Sequence, residues 1–178
     1  MYTRWVFLGL LWLWAGCSSS SQPLPEATRE GRPDQESWDV TITLSEGGRE
    51  RAVIRAGHLT KFNERYYTNL EDDVIVDMFN ADRQHTFRLY ADRAEVDERA
   101  QFMRAISHVV VLSDSGVDLA TDTLSWDQDE SLVYTDDSVR VTTEAGDTLY
   151  GVGFESDARL ENWTIEHPTG STGRRYDH

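Results

Sequence analysis

The chain is short of cysteine, lysine and clustered histidine, and each shortage excludes something. Cys17 is the one cysteine in 178 residues, so neither an intrachain disulfide framework nor a cysteine-rich metal site is available. Lys61 is the single lysine, and seventeen basic residues face thirty-two acidic ones, for a net charge of -15. That balance excludes a nucleic-acid partner, because phosphate binding needs a basic footprint. His58, His85, His108, His167 and His178 are scattered, with no pair at metal-ligand spacing. No glycine-rich phosphate loop and no nucleophile elbow occurs. Carboxylates are plentiful, but nothing singles out two of them as acid and base. The chain therefore reads as a non-enzyme, with no catalytic residue, no metal and no cofactor.

The N-terminus is the first informative stretch. Arg4 precedes an almost wholly apolar run from Trp5 to Trp14, and Ala15-Gly16-Cys17 follows. The run is too short to span a bilayer as a helix. A charged start, a short apolar segment and small residues before a cut site describe a secretory signal. Small residues before Cys17, with Leu13 at the apolar position, resemble the bacterial lipobox. That resemblance implies lipidation of Cys17 and cleavage after Gly16; Trp14 is bulkier than is usual there. Several acyl chains on one cysteine give stable anchoring. Four serines, then Pro23, Pro25 and Pro33 among mixed charges, read as a flexible tether. The expected segments are a signal peptide over 1–16, a lipidated tether over 17–37, a β domain over 38–168 and a disordered tail over 169–178.

The domain is organised by a repeat. Leu119-Ala120-Thr121-Asp122-Thr123-Leu124-Ser125-Trp126-Asp127 has a counterpart thirty residues upstream, Leu89 to Asp97, and another thirty residues downstream, Leu149 to Asp157. Each copy opens with Leu and closes with Asp, and its sixth position is apolar: Ala94, Leu124, Phe154. A fixed period of this kind signals stacked supersecondary units. Val109-Val110-Val111 recurs as Val139-Arg140-Val141, each leading to a turn glycine, Gly116 and Gly146. At an offset of thirty-five, Ile54, Ala56, Val74 and Val76 align with Leu89, Ala91, Val109 and Val111. The five extra residues of this first unit are expected in a loop near 63–69. Alternation such as Trp38, Val40, Ile42, Leu44 marks half-buried strands, so the domain is all-β and built of short strands; a helix near 97–104 is not favoured. Within a copy, positions one and three (Leu89 and Ala91, Leu119 and Thr121) form the inward set before Asp92 or Asp122, and apolar positions six and eight form it afterwards. This change of parity predicts a bulge at the aspartate, with its carboxylate bonding backbone at the corner. Gly151 and Gly153 in the last copy predict close backbone approach.

Aligned apolar positions would stack into one strip. That strip suits either the closed core of a β-sandwich, in a structural or scaffolding outer-membrane lipoprotein, or a slot between parted sheets that holds apolar ligand. The residues alone do not separate the two. Strand parity selects Ile54, Ala56, Val74, Val76, Leu89, Ala91, Val109, Val111, Leu119, Leu124, Trp126, Val139, Val141 and Phe154 as its lining, and a one-residue slip would turn a strand's set outward.

The repeated units, the Asp122-Thr123-Leu124-Ser125-Trp126-Asp127 element and the closing Leu149-Tyr150-Gly151-Val152-Gly153-Phe154-Glu155-Ser156-Asp157, with Leu160 and Trp163 after it, resemble the LptC family over roughly Ala52 to Ile165. That family is the periplasmic component of the lipopolysaccharide export ABC transporter. The resemblance implies an open β-jellyroll, repetitive and related to LptA, with a hydrophobic groove that carries the acyl chains of lipopolysaccharide. It implies inner-membrane ABC transporter subunits as partners, and an LptA-like protein joined by edge-strand pairing. It places the chain on the periplasmic side of the envelope. The lipid anchor at Cys17 stands where the family usually carries a transmembrane helix; the inner membrane is the favoured site and the outer membrane the alternative.

Overall fold

The computed structural model describes residues 31–80 and 82–172; the signal peptide, Cys17 and most of the tether lie outside the described residues, as do residues 173–178 of the expected tail. Nine strands run β1 (Gln35–Glu46), β2 (Arg49–Phe62), β3 (Tyr67–Phe79), β4 (His85–Asp97), β5 (Phe102–Ser113), β6 (Asp118–Asp127), β7 (Leu132–Thr142), β8 (Thr148–Asp157) and β9 (Trp163–Thr172). They form one antiparallel sheet in sequence order, and among the described residues each strand pairs only with its neighbours in the chain. Among the described residues there is no α-helix, only the 3-10 turn Asn63–Arg65. The 97–104 segment is a strand end, a tight turn and a strand start. Nor does any helix among the described residues have the length and apolarity to cross a membrane.

The strands are longer than the alternation suggests, because each is bent in the middle. The register shifts between Arg55 and His58, Glu71 and Val74, Tyr90 and Arg93, Ile106 and Val109, Ala120 and Ser125, and Thr135 and Ser138. These shifts lie on one line across the sheet. The predicted change of parity at Asp92 and Asp122 belongs to that line. Before it Leu89 and Ala91 are buried and Asp92 is exposed; after it Ala94 is buried. Leu119, Thr121, Asp122 and Leu124 repeat the pattern. A bulge adds a residue to one strand and bends it. A whole row of bulges therefore folds the sheet, and the apolar faces of both halves meet in one cluster. The architecture is an open β-jellyroll.

The corner aspartate behaves differently from expectation. Asp92 Oδ2 bonds the ring of His108, with Nδ1 at 2.7 Å, rather than backbone. Ser107 and His108 sit at the facing bulge with φ of 66° and 52°, and this puts the ring against the carboxylate. The carboxylates that do cap backbone are the closing aspartates of the repeat. Asp97 Oδ1 accepts the N–H groups of Arg99 and Ala100, both at 2.9 Å. Asp127 Oδ1 accepts from Glu130 at 3.1 Å. Asp157 Oδ1 accepts from Arg159 at 3.0 Å and Glu161 at 3.1 Å, and its Oδ2 takes the Asn162 amide at 2.7 Å. Short acidic side chains stabilise turns in this way. The period of thirty thus records a turn requirement as well as a core.

The five extra residues also fall elsewhere. The first unit's turn after Phe62 and the second unit's turn after Asp97 are equally long. Val74 to Leu89 spans fifteen positions, whereas Val109 to Leu119 spans ten. The difference lengthens the β3–β4 hairpin around Phe79–His85.

Burial raises the Asp157 carboxyl, but the Asn162 amide and the N–H groups of Glu161 and Arg159 outweigh it, so the group ionises below its ordinary 3.8. Its stabilising contribution is present above that value and lost as pH falls through the lower folded one. Asp157→Ala is expected to cost about 1 kcal/mol at neutral pH. Thermal melts by circular dichroism should show wild type and variant converging as the pH drops below 3.8.

Candidate functional site

Thirteen of the fourteen predicted lining residues are buried in the single apolar cluster: Ile54, Ala56, Val74, Val76, Leu89, Ala91, Val109, Val111, Leu119, Leu124, Val139, Val141 and Phe154. Trp126, the fourteenth, is partly buried against it. The bulged strands turn all of them to the inner face. Few of them border open space, however. Val111, Val141 and Phe154 are completely closed in by neighbours.

Open space lies toward one end. An apolar cavity of about 60 Å³ is lined by Val76, Leu89, Leu124 and Trp126 of the predicted set, together with Ala52, Met78, Phe87, Ala94, Met103, Ala105 and Val133. It adjoins a mouth of about 510 Å³. Ala52, Met78, Met103, Trp126 and Ala158 line both spaces and so form the neck between them. Ala52 and Met78 are cross-strand partners in β2 and β3. Met103 and Trp126 are cross-strand partners in β5 and β6. The mouth is walled by Leu44 and Arg51 of the β1–β2 hairpin, by Phe79, Asn80 and Asp82 of the lengthened β3–β4 hairpin, and by Gln128, Ser131 and Arg159 of two turns on the facing half.

Sequence reasoning did not find Met78 and Met103, nor the mouth. Met78 lies two positions beyond Val76 on the same strand face. Met103 lies six positions before Val109 and shares the inward parity of Ala105 and Val109, but it stands at the strand's start, outside the aligned valine run. The spacing excess of the first unit was the signal for the overhanging hairpin.

Chemically the neck is apolar with one orphaned polar atom. The Trp126 indole nitrogen is buried without an acceptor, a state that costs about 1–3 kcal/mol. At the mouth the Arg159 guanidinium meets Glu161 at 3.2 Å. On the outer face Arg55 and Arg88 each approach the buried Asp77 carboxylate at 2.5 Å, with His85 at 3.3 Å. Burial raises the Asp77 carboxyl, and the two guanidinium groups, Arg88 first, bring it below its ordinary value. His58 bonds Glu36 at 2.9 Å, and chiefly through that bond its pKa is raised. It thereby ties β1 to β2. Among the described residues no group of three or more His, Cys, Asp or Glu is arranged to hold a metal ion.

Among the described residues the two outer strands are each paired on one side only, β1 with β2 and β9 with β8. The last edge depends on two glycines. A Cβ on Gly151 would meet Ile165 Cγ2 at 2.2 Å and the His167 carbonyl oxygen at 2.8 Å; Gly153 has φ +79° and faces Glu166. The close approach read from these glycines is the seat of β9. Pro168 within β9 lacks an N–H, as suits an edge strand.

Residues 5–169 match the family described as "LptC: Lipopolysaccharide-assembly, LptC-related". No curated protein matches the chain. Among solved structures, the fold is similar to LptH of Pseudomonas aeruginosa, the LptA homologous periplasmic component of the conserved lipopolysaccharide transport device of that organism. The TM-score is 0.53 at 16% identity, over 70% of this chain and 89% of that one, a likeness of fold.

Gly151→Ala should unseat β9 and cost about 1–3 kcal/mol. Hydrogen exchange is expected to accelerate in Trp163–Thr172 while β3 to β6 stay protected; unchanged exchange in β9 would contradict the packing argument.

Proposed function

Because this chain belongs to the LptC family of lipopolysaccharide-assembly proteins, we propose that it is the lipid-transfer component of a lipopolysaccharide export bridge. In this reading it takes lipopolysaccharide from an inner-membrane ABC transporter and passes it to an LptA-like periplasmic protein. The observation that carries the proposal is an apolar interior, formed by two halves of one sheet, that opens through a neck to a mouth. Burying acyl chain gains about 0.8 kcal/mol per CH₂, so such an interior holds chains without any cation. The outer sides of β1 and β9, which no described strand covers, suit strand addition, in which main-chain hydrogen bonds join two sheets. Lipidated Cys17 and the tether would hold the domain at the periplasmic face of the inner membrane. The energy for movement comes from the transporter's ATP turnover.

A cavity of about 60 Å³ is well below the roughly 300–1,000 Å³ of a ligand pocket. An acyl chain needs far more, so loading requires the two halves to part. The neck is where parting is easiest. Met78 and Met103 are flexible and adapt to new neighbours, whereas Val111 and Val141 are β-branched, stiff and fully enclosed.

Photoreactive residues at Met103 and Met78 should therefore give lipopolysaccharide adducts that depend on ATP turnover, with weaker adducts at Val111 and Val141. No adduct at any of the four, in a folded and anchored protein, would sink the carrier reading. The alternative, a scaffolding outer-membrane lipoprotein, predicts fractionation with the outer membrane and no copurification with an ABC transporter.

A further inference from the structure

The neck is a boundary between two chemistries. On its inner side the cavity is almost wholly apolar. On its outer side the mouth carries Arg51 and Arg159 among polar side chains. The two cross-strand pairs, Ala52 with Met78 and Met103 with Trp126, face this boundary from opposite halves of the sheet. Trp126 alone among them brings a polar group, an indole N–H that can only donate. That nitrogen is buried and has no acceptor, although backbone and side-chain donors in folded proteins are nearly always paired.

An acylated lipid has a matching boundary. Its chain is apolar, its head is polar, and the group where they join is an ester or amide whose carbonyl accepts. We propose that the Trp126 indole N–H is the donor that receives this linkage carbonyl, fixing how deep the acyl chain enters. The proposal rests on the carrier reading above and names the lipid feature that the neck selects. The chain then occupies the space opened between the halves, and the head stays in the mouth near Arg51 and Arg159. Trp126 lines both the cavity and the mouth, and the methionine beside it yields readily, which leaves the ring room to turn its N–H toward an entering carbonyl. A site built to donate a hydrogen bond rejects the analogue that lacks the acceptor, because its own buried group is then left unpaired. The neck should therefore prefer acyl-linked lipids over ether-linked lipids of equal chain length.

The test uses the full chain in nanodiscs and two probes, a medium-chain ester of glucose phosphate and the corresponding ether, titrated by calorimetry. Wild type should bind the ester about fivefold more tightly than the ether. Trp126→Phe should remove that preference by weakening the ester alone. In wild type, the indole N–H proton resonance of Trp126 should move downfield with the ester and not with the ether, a readout that holds even if the variant folds poorly. Equal affinity for both probes in wild type, or a preference that survives in Trp126→Phe, overturns the donor assignment and leaves lipid carriage standing. Binding of neither probe by the folded protein overturns the carrier reading, and the donor assignment with it.

Discussion

The molecule depends on one backbone irregularity repeated on a line: the mid-strand shift in register between neighbours from β2 to β8. A flat antiparallel sheet offers two faces, and one sheet alone buries neither well. Alternation obliges a strand to send successive side chains to opposite sides. A single extra residue resets that alternation and bends the strand. Placed at the same level in β2, β4, β6 and β8, it lets both halves keep their apolar residues on the concave side. Ala56 with Leu59, Leu89 with Ala94, and Leu119 with Leu124 are the result. Core, cavity and mouth all follow from that crease.

Much of this was legible in the chain because the physics that builds it is local. Apolar parity, its reversal at Asp92 and Asp122, and the spacing of Val109 and Val139 are short-range signals, and they selected a set of residues that the fold turns inward. The role of Asp97, Asp127 and Asp157 was visible only as a repeated letter; its reason, capping of tight turns, needed the turn geometry. What could not be read was the separation of the two halves. Parity says which side chains face inward, and it says nothing of how closely two inward faces approach. Met78 and Met103 therefore escaped, since their importance comes from the facing half. The length of the β3–β4 hairpin was present in the spacing, but its meaning arises only when that hairpin overhangs the mouth.

Charge is distributed to the same end. The acidic excess sits on the turns and the outer crease, where Asp92 pairs with His108 and where water screens repulsion over about 8 Å at physiological salt. Among the described residues Asp77 is the one buried carboxylate, and two guanidinium groups compensate it on the outer face. The inner face is left to apolar side chains, with Trp126 as the polar mark at its entrance.

Because every described strand pairs only with its neighbours in sequence, no crossing connection among the described residues ties one end of the sheet to the other. Each hairpin is held by the hairpins beside it, in the manner of a linear array. A further unit of about thirty residues, closed by its own capping aspartate, could be spliced between β4 and β7 without altering β1 or β9. The length of the track and the identity of its two docking edges are thus separately adjustable, and a lineage can lengthen or shorten one without renegotiating the other.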